Sequence, residues 1–188
     1  FIANIEETNS DWQIGVVTTD MVDPKQRGRL QGDPTIITPD TPFYQTAFFE
    51  NIIGVGTEGY PIERGLSAAV AAVTPPLATH ENDGFIRDGA SLSIIVVSDE
   101  NDCSDGGALV GDDQEACYQE ADQLIPVPQF ATNLWASKAS PRDVTFSAIV
   151  ELDSDDGYAA CGEASTGHRY LKLAAMTGGI TRSICGEY

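Results

Sequence analysis

The chain is poor in positive charge. Its 188 residues hold ten Lys and Arg against 29 Asp and Glu, a formal net charge of -19. Such a surface repels nucleic acid and anionic lipid, so neither is an expected partner. It suits solvation, cation binding or a basic partner. No apolar run approaches the roughly 20 residues of a membrane span, so no membrane insertion is expected. There is no signal-peptide pattern, and the chain opens on Phe1 rather than Met, as a piece of a processed polypeptide does.

Histidine is scarce too: His80 and His168 are the only two. A Ser-His-Asp triad is allowed by count, but no motif supports one. Neither a Gly-x-Ser-x-Gly elbow nor a phosphate loop is present. Gly54, Gly56 and Gly59 have the spacing of a dinucleotide loop, yet they follow a predicted helix rather than a strand, which argues against that site. Asp102-x-Ser104-x-Gly106-Gly107 echoes a calcium loop and fails at its fifth and twelfth positions. His168 reads as a surface residue at a helix start.

Cysteine is sparse but even in number: Cys103, Cys117, Cys161 and Cys185. No pair has the CxxC spacing of a zinc or redox site. Each lies in a loop-like context, which points to two disulfides. Three pairings are open; Cys103–Cys117 with Cys161–Cys185 is favoured. Disulfides imply an oxidising compartment, so an extracellular, cell-surface or periplasmic location is expected.

What the chain does have is one stretch around which the rest is arranged, Ser91 to Asp102. Leu92 to Val97 is almost unbroken in apolar residues, as in a strand buried on both faces of a parallel sheet. It then turns abruptly acidic at Asp99, Glu100 and Asp102. Ligands of open α/β sheets gather beyond the carboxyl ends of the strands, so this turn is a candidate site. The plain alternative is a solvated acidic loop.

Around it, strands and helices alternate. Phe1–Ile5 reads as the end of a helix, Trp12–Thr18 as a strand, and Thr35–Thr38 as a short edge strand bounded by Pro34 and Pro39. Thr41 as N-cap and Pro42 at the first helical position open a helix carrying Phe43, Ala47 and Phe48. A second helix carries Ile62, Leu66, Ala69, Val70 and Val73 and stops at Pro75-Pro76. A polar loop, Leu77–Asp88, leads into the central strand, and a long acidic loop follows it from Asp99 to about Asp122. Pro128–Lys138 reads as a helix, Val144–Val150 as a second buried strand, His168–Met176 as a helix ended by Gly178-Gly179, and Ile180–Cys185 as a last strand. The expectation is one α/β domain, three-layer, with a mostly parallel central sheet and helices on both faces.

These residues resemble a known family. Asp11 to Asp20, Val55-Gly56-Thr57 leading to Arg64 through Ala69, Ile94 to Asp102, Arg169-Tyr170-Leu171, and Thr177-Gly178-Gly179 through Cys185 together look like a von Willebrand factor A-like domain. The similarity is to the bacterial cell-surface branch with paired cysteines, and it covers nearly the whole chain. The resemblance implies a Rossmann-type fold and a metal-ion-dependent adhesion site. In that site Thr57 and Asp99 match two of the metal ligands, with Ser98, Glu100, Asp102 and Asp20 on the rim. Its third part, an Asp-x-Ser-x-Ser after the first strand, has no counterpart, since Asp153-Ser154-Asp155 follows the wrong strand. The family's first strand, which lies mid-sheet between those matching Trp12–Thr18 and Leu92–Val97, is likewise absent.

The function so implied is protein binding or adhesion rather than catalysis. A Mg2+ ion, or Ca2+ or Mn2+, would keep one position open for a carboxylate of the protein partner. An incomplete site gives a second expectation: a structural envelope or fibre subunit held by strand exchange, its gap filled by another chain or segment. A hydrolase on an α/β scaffold is the third, and a covalent serine probe would find it.

Overall fold

The structure, a computed structural model, describes Ile5 and residues 10–57, 59–109, 115–152 and 166–186. In chain order its regular elements are helix α1 (Tyr44–Val55), helix α2 (Gly65–Val73), strand β1 (Leu92–Val97), the short helix α3 (Ala116–Gln119), helix α4 (Val127–Ala136), strand β2 (Val144–Val150), helix α5 (His168–Thr177) and strand β3 (Thr181–Ser183). The chain is therefore a mixed α/β protein. Among the described residues no helix is long and apolar enough to cross a membrane.

Local chemistry accounts for most of these boundaries. The α2 sequence is rich in Ala, the strongest helix former, and Pro75-Pro76 prevents its continuation. α5 ends where Gly178 takes the left-handed conformation, with φ 71°, and returns its N–H to Ala174 O. α1 starts later than the sequence suggests. Its N-cap is Phe43, with φ 52°, and Thr41 Oγ1 instead accepts the Thr38 N–H at 3.0 Å, closing the turn before the helix.

The three strands are parallel, in the order β1-β2-β3. One face of the sheet carries the core. Leu92 of β1 and Val144, Phe146, Ala148 and Val150 of β2 are buried in a single cluster with side chains of α2, α4 and α5. Phe146 and Tyr170 stack there at a centroid distance of 6.4 Å, both fully buried. Gly179 allows β2 and the α5–β3 turn to approach: a Cβ there would fall 1.8 Å from Phe146 O.

Three expectations are corrected. Among the described residues Leu92–Val97 is an edge strand and not the central one, because there it pairs with β2 alone. Its alternate residues face away from the core, and Ile95 and Val97 are 42% and 60% exposed. Secondly, the helices that pack on the sheet lie on the one face; the strand alternation leaves the other without a helical layer among the described residues. Thirdly, Trp12–Thr18 is no member of this sheet. Ile14 and Val16 form isolated antiparallel bridges with Ile37 and Gln31, which is also all that remains of the expected strand at Thr35–Thr38. The physical reason is that Trp12 packs outward from the main core, against Ile37, Ala47 and Tyr44, in a satellite cluster of its own.

A polar joint ties residues 28–30 to the end of α2. Asn82, 1% exposed, accepts from Leu30 N and donates to Gly28 O and Ala72 O, all at 2.9 Å. Both amide hydrogens and the carbonyl oxygen of the buried side chain thereby have a partner, as burial requires.

The one-faced packing has a measurable consequence. Phe146→Ala should cost about 3–5 kcal/mol in urea unfolding, the usual range for a buried aromatic. Ile95→Ser, on the open face of the next strand, should cost under about 1 kcal/mol. Equal losses at the two sites would mean that both faces are packed.

Candidate functional site at the carboxyl end of the sheet

β1 leads directly into Ser98, which is buried. Its Oγ lies in a short hydrogen bond with Glu63 Oε2 and accepts Glu100 N at 3.1 Å. Asp99 is exposed and Glu100 half-buried. Glu63 comes from the segment that enters α2, and its carbonyl accepts Cys103 N at 2.8 Å. Burial pushes the Glu63 carboxyl above the ordinary carboxylate range, and the negative charges of Glu100 and Asp99 push it further; the Ser98 and Thr19 hydroxyls beside it pull the other way.

The next residues hold two helices by their ends. Asp102, 1% exposed, accepts Leu66 N at 2.9 Å and Ser104 Oγ at 2.8 Å on Oδ1, and Ser104 N at 3.1 Å and Arg169 Nε at 2.9 Å on Oδ2. Ser104 Oγ accepts Ser67 N at 3.0 Å. Asn101 Oδ1 accepts Arg169 N at 3.0 Å. The first turns of α2 and α5 each leave N–H groups without intrahelical partners, and this loop supplies the acceptors. A parallel ion pair joins Arg64 Nε to Asp105 Oδ1 at 2.8 Å, with both side chains largely buried.

Asp20 sits across from this loop. Its carboxylate accepts Val22 N at 2.7 Å, Asp23 N at 3.0 Å and Tyr60 N at 3.2 Å. Burial alone would raise its pKa; the backbone donors of Asp23, Val22 and Tyr60, with the Arg64 charge, outweigh that and hold it below the ordinary value. Asp105 is lowered for the same reasons, burial being outweighed by the Leu109 and Gly107 N–H groups and by Arg64.

The expected site residues are thus distributed as follows. Ser98, Asp99, Glu100 and Asp102 share one turn, with Asp20 tied to the same end through Tyr60. Thr57 is exposed in the segment between α1 and α2, three residues before Tyr60. Among the described residues no hydrogen bond joins it to Asp99. Asp102, expected on the rim, has its carboxylate oxygens occupied by protein donors. Cys103 and Cys117 are disulfide-bonded, with Cα atoms 5.5 Å apart. Cys185 is disulfide-bonded as well, while Cys161 and the acidic run at Asp153, Asp155 and Asp156 lie outside the described residues.

Sequence reasoning gave no role to Glu63, Arg64, Arg169 or Asp105. A signal existed. Arg64 and Arg169 each stand at the start of a helix, where the dipole disfavours a cation. In a chain with so few basic residues, that placement calls for a carboxylate partner. Tyr170 was missed for a different reason: its hydroxyl is fully buried against Gly65, so only packing identifies it.

Among the described residues no three His, Cys, Asp or Glu side chains are grouped to hold a metal ion. Thr57 and Asp99 would give two oxygens, fewer than a Mg2+ or Ca2+ shell takes from a protein cage, so the residues described do not make a complete site. No family model, curated protein or solved structure matches this chain.

The shifted carboxyls set opposite pH dependences. Glu63 binds its proton more tightly folded than unfolded, so its contribution to stability is present below the ordinary carboxylate pKa and is lost as pH rises through the folded value. Asp20 and Asp105 contribute above the ordinary Asp pKa, and that stability is lost as pH falls through their lowered values. Glu63→Gln keeps an oxygen for Ser98 and removes the charge. Chemical denaturation across pH should show it losing the mildly acidic slope while keeping the acid limb; an unchanged slope would contradict the Glu63 assignment.

Proposed function

We propose that this is an extracellular or cell-surface protein-binding domain, of the von Willebrand factor A-like kind, whose working surface is the carboxyl end of the parallel sheet. The observation that carries the proposal is the crowding of Asp99, Glu100 and Glu63 at the end of β1, while the nearby cations Arg64 and Arg169 are engaged by Asp105 and Asp102. Negative charge of this kind favours an added cation. The disulfide Cys103–Cys117 is compatible with an oxidising location.

A divalent ion here, Mg2+ by preference or Ca2+ or Mn2+, would rest on Thr57 and Asp99 and would need further oxygens from a partner or from another segment. Such an ion supplies an open coordination position for a partner carboxylate. Binding rather than turnover is proposed because the chain offers no nucleophile–base motif. The second reading, a structural subunit held by strand exchange, is favoured by the edge of β1, which has no strand partner among the described residues.

Mn2+ provides the test. Added substoichiometrically, it should broaden the amide resonances of Thr57, Asp99 and Glu100 together, and Asp99→Ala should abolish the effect. Broadening spread over the acidic surface and unchanged in Asp99→Ala would contradict a cation site at this turn.

A further inference from the structure

Helix α1 is apolar on two opposite sides. Its inner side is satisfied: Tyr44, Ala47 and Phe48 pack in the satellite cluster with Trp12 and Ile37, and Asn51 is buried, accepting Asp33 N and donating to Pro34 O. At about 100° per residue, Phe49, Ile52 and Ile53 fall on the opposite arc. They are 62%, 45% and 59% exposed. Spaced three and four residues apart, they adjoin as one ridge. Just before the helix, Phe43 is 86% exposed and holds φ 52°, a conformation that bulky side chains rarely take.

A helix apolar all round is ordinarily buried all round, and a surface helix turns polar residues outward. α1 does neither. Exposed hydrophobics scattered singly carry no message, but a connected apolar ridge marks a contact surface. The surrounding sequence indicates the charge of what it meets. From Leu30 to Glu63 there is no Lys or Arg, while Asp33, Asp40, Glu50, Glu58 and Glu63 are acidic. The basic residues on either side are already paired, Arg29 with Glu81 at 2.7 Å and Arg64 with Asp105 at 2.8 Å.

We infer that the outer ridge of α1 docks a cationic amphipathic helix of a partner protein, which lays one apolar stripe on Phe49, Ile52 and Ile53 and carries Lys or Arg at its flanks. The apolar contact supplies affinity, and the acidic segment around α1 supplies charge complementarity. A helix fits because α1 is itself a convex rod about 18 Å long, and two helices pack by setting ridges into grooves. A lipid surface is disfavoured, since interfacial helices carry Lys and Arg beside their apolar face and α1 has none. A second copy would set one acidic segment against another. The inference needs no cation at the end of β1.

Fluorescence anisotropy in EDTA tests it with a labelled synthetic helix that has a stripe of Leu at every third and fourth position and Lys and Ala elsewhere. One control scrambles the same residues; the other replaces each Lys by Glu. The ordered cationic peptide should bind at least about tenfold more tightly than either control. Phe49→Gln combined with Ile53→Gln should bring it down to the scrambled level. In the unaltered chain, amide shifts on adding the peptide should concentrate at Phe49, Ile52 and Ile53. Absence of binding, equal binding of the ordered and scrambled peptides, or equal binding of the Glu peptide would each overturn the inference. So would self-association of the chain, or its adsorption to phosphatidylcholine vesicles, that the double substitution abolishes.

Discussion

Asp102 is the joint on which this end of the molecule depends. It is the third acidic residue of the turn, yet it is buried, and a buried carboxylate is tolerable only when its oxygens are met. Four protein donors meet them, and they come from three parts of the chain: its own loop, the first turn of α2 and the side chain of Arg169 on α5. Asn101 and Ser104 extend the same arrangement to either side. The turn after β1 therefore fixes the starts of α2 and α5, two of the three helices that pack on the sheet, and the disulfide to Cys117 closes the loop that follows.

Exposed and buried carboxylates are separated by single residues here. Asp99 and Glu100 belong to the surface proposed to bind, whereas Asp102 and Asp105 belong to the scaffold. What divides them is the supply of cations. With ten basic residues in the chain, Arg64 and Arg169 satisfy the buried carboxylates, and Glu63 is left beside two further negative charges without a guanidinium. Among the described residues, Glu63, Asp99 and Glu100 bring negative charge together at the carboxyl end of β1, which is why the cation and partner are proposed there.

The elements were far more legible in the sequence than their partners. β1 and β2 were read at their observed bounds, since short β-branched runs between turn residues leave few alternatives. The end of α5 at Gly178 and the Cys103–Cys117 pairing were also legible from local chemistry. Pairing was not. Leu92–Val97 has the composition of a middle strand and sits at an edge, and the apolar content of a strand carries no information about whether its second neighbour is present. The caps of α2 lay out of reach for the same reason: Asp102 and Ser104 meet it from 36 and 37 residues away. Thr41 looked like a cap locally and instead closes the preceding turn.

The most direct measurement of this account is the loss at Asp102. Asp102→Ala removes a buried partner from Arg169 and an acceptor from α2, so unfolding by urea should show a cost of about 3–5 kcal/mol, as for other broken buried pairs. Amide exchange should rise together at Leu66, Ser67 and Arg169, because one carboxylate serves both helix starts. A cost below about 1 kcal/mol, with faster exchange confined to Ser104 and its neighbours, would contradict the claim that this carboxylate joins the acidic turn to the two helices.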